Sequence, residues 1–226
     1  MAGSNVRAQY VDAAPSSPQE ETLAAAYFYT CGILSWMNHT PQIKKAIQFA
    51  ARKHHGHLRI SSSADEPLPY VTHLFSVALL VAEDGASDDV VTAALLHDTL
   101  EDTDTTREEI VSAFNEQVAS LVEEVSEDKK LEWKERKEEY LVGMERSSDE
   151  ALLIALADKV DNVESRIEEY EKEGDAFLAR WKRSNEEYLW FYDEALRIAQ
   201  SRLPNHSLTK RYAEACARQC AMLSES

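Results

Sequence analysis

Along almost the whole chain apolar residues return every three or four positions, and no stretch alternates convincingly with period two. That spacing belongs to helices with one buried face, so the chain is predicted to be all-α. End signals place the elements. Thr40 and Pro41 open a helix through TPQIKKAIQFAARKHH, with threonine as N-cap and proline at the first helical position. The loop GHLRISSSADEPLP follows, apolar spacing resumes from Tyr70 to about Glu83, and a further helix is predicted from Asp88 to about Leu100. Thr105 and Glu108 offer a capping box ahead of REEIVSAF. EDKKLEWKERKEEYLVGM reads as a charged helix with a solvated face, and a long helix enters through Ser148 and leaves near Gly174. NEEYLWFYDEALRIAQSRL and SLTKRYAEACARQCAML are the last two elements. Upstream, 20–37 predicts a first helix, while 1–19 is small, polar and proline-bearing and is predicted to be a disordered tail.

Composition narrows the class. A chain of 226 residues with 44% hydrophobic content suits one globular domain with a sizeable core. With 24 Lys and Arg against 41 Asp and Glu the formal charge is −17, which argues against nucleic-acid or anionic-membrane partners, since both need a basic face. Cys31, Cys216 and Cys220 do not make a disulfide framework, so a reducing cytoplasm is expected. The apolar patch LAAAYFYTCGILSWM falls short of the roughly 20 residues that span a bilayer. Oligomeric state leaves no mark in the sequence.

The unusual chemistry sits in AALLHDTLEDTDTT. On one continuous helix His97 shares a face with Glu101, and Asp98 with Asp102. Carboxylates packed this closely repel one another unless a cation sits among them or some take up protons. His73 enters an apolar helix in YVTHLFSVALLVA, and Asp158 follows an apolar run in LLIALADKVDN, where an unpaired carboxylate would cost several kcal/mol. Two histidines and two aspartates at the ends of apolar helices suit one catalytic divalent ion such as Mn(II), Fe(II) or Zn(II). Cys216 and Cys220, four apart, are read as core thiols, and the run Trp181, Tyr188, Trp190, Phe191, Tyr192 as core aromatics at helical spacing.

The set His73, His97-Asp98 and Asp158 resembles the HD metal-dependent phosphohydrolase superfamily. Within it, ALLHDTLEDTDTTREEI is similar to the ALLHDxxEDTxxTxEEI of the RelA/SpoT hydrolase domain. AARKHHGHLR resembles that family's AxxxHxGQxR, PYVTHLFSVA its PYIxHPxxVA, and LADKVDN its LADRxHN. The spacing is that of small stand-alone alarmone hydrolases. The resemblance implies an HD-domain helical bundle of about eight to ten helices over 41–226, with 20–40 as a helical appendage. It further implies a 3′-pyrophosphohydrolase acting on a nucleotide alarmone, (p)ppGpp or (p)ppApp, and releasing pyrophosphate. By carry-over His73, His97, Asp98 and Asp158 would bind one Mn(II), and Glu101 and Asp102 would activate water and handle the proton. Arg59 would lie against the base, Asn162 near the ribose, and Lys53 with Arg59 would meet phosphate. His57, Ile60, Leu74 and Asp161 depart from the family's glutamine, lysine, proline and histidine, and they gather around the base pocket rather than the metal set. Two alternatives stand beside this reading: a generic HD nucleotidase or phosphodiesterase, and a non-catalytic module that binds alarmones.

Overall fold

A computed structural model describes residues 40–59, 66–180 and 183–224. The tail predicted over 1–19, the helix predicted over 20–37, Cys31 and Trp181 lie outside the described residues.

The elements follow from their caps. Helix α1, Pro41–Lys53, starts where the Thr40 side chain accepts the Ile43 N–H, and it buries Ala46, Phe49 and Ala50. A turn then brings Leu58 opposite Pro69 in an isolated antiparallel bridge, flanked by hydrogen bonds from Arg59 N–H to the Leu68 carbonyl (2.9 Å) and from Tyr70 N–H to the His57 carbonyl (2.8 Å). Helix α2, Val71–Glu83, follows. Ser87 caps α3, Asp88–Leu96, in which every residue from Val90 to Leu96 is buried. Helix α4 is the single turn Thr99–Asp102, and α5 spans Arg107–Ala113. Helix α6 is Glu116–Val125, α7 is Trp133–Arg146, and α8 is Asp149–Glu173. A second single turn, α9 at Asp175–Leu178, leads to α10, Asn185–Arg202, and α11, Ser207–Ser224. Among the described residues there are thus nine helices of seven residues or more and two single turns, with no strand beyond the bridge pair. The all-α prediction holds.

The long α8 is the axis of the bundle. Ser148 caps it by accepting the Ala151 N–H, and it ends at Gly174, whose φ of 60° lies in the left-handed region that favours glycine. Its first half is apolar nearly all round because α2, α3, α6 and α11 pack against it on different sides. Ile154, Ala157, Val160 and Val163 are fully buried there.

Two boundaries and one whole element differ from the sequence reading. The cap before α5 is Thr106, whose hydroxyl accepts the Glu109 N–H, while Thr105 is buried and shares a hydrogen bond with Thr103. The charged helix begins at Trp133 rather than Glu127, because the Asp128 carboxylate accepts the Lys130 N–H and closes a turn there. Helix α6 is not among the predicted elements, although Asn115 caps it and Val118, Leu121, Val122 and Val125 recur at helical spacing against α3. No described helix is long and apolar enough to cross a membrane.

Candidate active site

Three helices bring the predicted metal residues to one point. His73 lies in the first turn of α2, His97 and Asp98 directly follow α3, and Asp158 lies in the buried half of α8. The helix predicted from Asp88 to Leu100 breaks at this place, which corrects the shared-face argument for His97 with Glu101 and Asp98 with Asp102. Asp98 takes φ −93° and ψ 0°, outside the regular helix, and α4 restarts at Thr99. Side-chain bonds hold the break: His97 Nδ1 donates to the Ala94 carbonyl at 2.8 Å, and Asp98 Oδ2 accepts the Tyr70 hydroxyl at 2.5 Å.

The convergence is close. His73 Nε2 stands 3.1 Å from Asp158 Oδ1 and 3.6 Å from Asp98 Oδ2. His97 Nε2 stands 3.0 Å from Asp98 Oδ2 and 3.8 Å from Asp158 Oδ1. One ligand atom each from His73, His97 and Asp158 lies within 4.8 Å of the others. Atoms bound about 2.1 Å from one ion sit about 3 to 4 Å apart, so His73, His97 and Asp158 fit a shared cation, with Asp98 Oδ2 beside both imidazoles. His97 Nε2 is buried and stands between Asp98 and Asp158, so an imidazole nitrogen and two carboxylates converge there in a way that suits a cation.

The electrostatics ask for positive charge at this point. Burial opposes charging His97, yet the adjoining Asp98 carboxylate outweighs it and holds the imidazole up at about 9. Burial likewise opposes ionising Asp158, and Lys159 together with His73 and His97 keeps its carboxyl far below the ordinary range. Lys159 Nζ meets Asp158 Oδ2 at 2.5 Å inside the protein, close to the Tyr140 hydroxyl at 3.3 Å.

Glu101 and Asp102 border the same pocket from α4. Glu101 accepts the Glu127 backbone N–H at 2.7 Å. Burial, then the charges of Asp98 and Glu127, push its carboxyl up to about 7. Asp102 pairs with Lys129, which also lies 3.7 Å from Glu101. The pocket lining also carries Lys129, Arg136, Lys137 and Lys159. Glu127 holds two of these, Arg136 at 2.8 Å and Lys137 at 2.6 Å. Tyr188, Phe191 and Tyr192 line the pocket as well, so part of the aromatic run serves both core and cavity.

The substrate residues named from sequence divide. Asn162 lines the pocket and donates to Asp158 Oδ1. Arg59 and Lys53 are not among its lining residues. Arg59 instead pairs with Asp161 at 2.6 Å. Lys53 is engaged on the outside by Asp104 at 3.1 Å and Glu109 at 3.0 Å. Sequence reasoning missed Tyr70, Glu127, Lys129, Arg136 and Lys137. A partial signal existed for Lys137 alone, which shares helical spacing on α7 with buried Tyr140 and Met144, although its charged partner Glu127 is placed only by tertiary packing.

The chain is similar to proteins of one family. The HD domain family matches residues 46–180. Guanosine-3′,5′-bis(diphosphate) 3′-pyrophosphohydrolase MESH1 of Homo sapiens is 41% identical over 143 residues, covering 57% of this chain and 78% of the human protein. The guanosine-3′,5′-bis(diphosphate) 3′-pyrophosphohydrolase of Aquifex aeolicus is 42% identical over 130 residues, covering 56% of this chain, and the chain spans only 18% of that protein. Among solved structures, a metazoan ortholog of SpoT that hydrolyzes ppGpp superposes with a TM-score of 0.67 at 29% identity, covering 81% of this chain and 98% of that one.

Proposed function

The chain belongs to the HD-domain family, and from that premise we propose that it is a Mn(II)-dependent 3′-pyrophosphohydrolase of a nucleotide alarmone, (p)ppGpp or (p)ppApp. His73, His97, Asp98 and Asp158 would hold the ion. One observation carries the reading: the His/Asp cluster, two flanking carboxylates and four basic side chains all face one pocket in a chain of net charge −17. Two relatives carry the name guanosine-3′,5′-bis(diphosphate) 3′-pyrophosphohydrolase.

A divalent ion in such a site lowers the pKa of water and neutralises charge gathering on a phosphoryl group. The chain's own residues supply the rest. Glu101, fixed through one oxygen by the Glu127 N–H, offers its carboxylate to take a proton from the attacking water. In the metal-free site burial, then the charges of Asp98 and Glu127, raise that carboxyl to about 7, and a bound cation would lower it toward the ionised form that a base needs. Asp102, linked to Lys129, assists in moving the proton toward the departing oxygen. Lys137 and Lys159 stand where they offset charge on the pyrophosphate, and Arg136 orients through Glu127. Asn162, which donates to Asp158 Oδ1 and lines the pocket, would meet the ribose.

The test is a panel. Full-length protein with Mn(II) is incubated with ppGpp, pppGpp, ppApp, pppApp and dNTPs, and pyrophosphate and orthophosphate are measured separately. Pyrophosphate from at least one 3′-diphosphorylated nucleotide is expected. Turnover of dNTPs alone would turn the reading into a generic nucleotidase, and binding without turnover into an alarmone sensor.

A further inference from the structure

We propose that Asp161 is a positioning residue that fixes His73 for the ion and ties it to Arg59 through a single carboxylate oxygen. The proposal rests on the reading of His73 as a metal ligand.

Asp161 Oδ2 lies 2.6 Å from His73 Nδ1 and 2.6 Å from Arg59 Nη1. All three groups are nearly closed off from solvent, with side-chain exposures of 10%, 2% and 9%. A carboxylate at that distance places the imidazole proton on Nδ1. The Nε2 lone pair is then left facing Asp158 and Asp98. His97 is held differently, since its Nδ1 donates to the neutral carbonyl of Ala94. The two imidazoles are therefore inequivalent. His73 has an anionic orienter and is the more strongly donating ligand, while His97 has only a backbone dipole behind it.

Asp158 and Asp161 are three apart on α8, so one face of one helix presents both a carboxylate aimed at the ion and a carboxylate aimed at the imidazole behind it. The family pattern quoted above has a histidine where this chain has Asp161. An imidazole cannot accept from two donors on one atom, so the double contact is a property that the aspartate brings. Arg59 in turn is anchored by its backbone N–H to the Leu68 carbonyl, beside the Leu58–Pro69 bridge. A group that draws the Arg59 guanidinium away leaves more negative charge on Oδ2 for His73, so events on the arginine side register at the ligand.

Mn(II) is titrated calorimetrically into metal-free full-length wild type, Asp161→Asn, Asp161→Ser, Arg59→Gln and the control Glu164→Gln, which removes an ion pair with Arg211 one turn along α8. Nitrogen NMR of the His73 ring in the diamagnetic Zn(II)-loaded protein reads which ring nitrogen carries the proton, and thermal melts establish that each variant is folded. Asp161→Asn is expected to weaken Mn(II) by about 10- to 100-fold and to lose the strict Nδ1–H tautomer, as is Asp161→Ser. Arg59→Gln is expected to shift the affinity, and Glu164→Gln to leave it unchanged. Wild-type Mn(II) affinity or an unchanged tautomer in folded Asp161→Asn overturns the proposal, and unchanged affinity in Arg59→Gln overturns the tie to Arg59. Hydrolysis is not read in this experiment. A protein that passes it but cleaves no alarmone refutes only the proposed activity, whereas alarmone cleavage with unimpaired Asp161→Asn refutes only this inference.

Discussion

The Tyr70 hydroxyl donates to Asp98 Oδ2 at 2.5 Å, so the residue that precedes α2 restrains the carboxylate that follows α3. Hydrogen bonds to charged groups contribute about 1.5 to 3 kcal/mol. Tyr70→Phe keeps the ring against His54 and loses only this restraint. Mn(II) binding, followed by calorimetry, is expected to weaken by roughly tenfold or more, with little change in secondary structure by circular dichroism.

Removal of the ion should be read in stability. Without it the cluster must find its positive charge in protons on His73 and His97. Chelation is expected to lower the melting temperature and Mn(II) to restore it, since a ligand at 100 times its Kd adds about 2.7 kcal/mol. Asp158→Asn should abolish both the Mn(II)-dependent shift and turnover, measured by differential scanning fluorimetry and pyrophosphate release.

If Glu101 is the base, it is expected to set the acid limb of the rate profile. Its carboxyl is raised from 4.5 to about 7, and the base form is the ionised one, so kcat/KM should climb as pH rises toward 7. A bound cation pulls the carboxyl the other way and moves the limb toward lower pH. For the metal-free protein the linkage has a definite sign. A raised carboxyl contributes stability that is present below 4.5 and lost as pH rises through about 7. Glu101→Gln should keep Mn(II) binding, reduce kcat by about 10²- to 10⁴-fold, and remove the limb. Full rate in this variant would remove Glu101 from the chemistry.

The cationic wall separates two lysines. Lys137 faces the pocket and is held by buried Glu127, whereas Lys53 sits in exposed pairs of a kind that contribute at most about 1 kcal/mol. Steady-state kinetics on the best substrate of the panel should give a KM increase of about tenfold or more for Lys137→Met. The increase for Lys53→Met should be far smaller.

Packing beneath the site has its own cost. Leu96 is fully buried in the last turn of α3, directly before His97. Leu96→Ala should destabilise the fold by about 2 to 5 kcal/mol in urea unfolding, and the cavity should also loosen His97 and weaken Mn(II).

Much of this was legible in the sequence, for identifiable reasons. Thr40, Ser148 and Gly174 mark their helix ends because caps act through neighbours in the chain. His73, His97, Asp98 and Asp158 stood out because polar residues interrupt apolar runs, and the structure brings those four together. The break at Asp98 was illegible, since it depends on a tyrosine 28 positions earlier. Arg136 and Lys137 looked like surface charge because their partner Glu127, also charged, lies in a turn whose position only tertiary packing defines. Arg59 was read toward the base, and its link to Asp161 spans 102 positions that no local pattern encodes.

The basic side chains of the pocket arrive already matched: Lys129 with Asp102, Arg136 and Lys137 with Glu127, Lys159 with Asp158. An incoming polyanion therefore exchanges partners with resident acids instead of shedding a cloud of mobile salt ions. Affinity governed by such internal exchange varies weakly with ionic strength, unlike attraction to a bare basic surface. A strongly acidic protein can in this way accept a strongly acidic guest, and relinquish it again, without a steering field around the molecule.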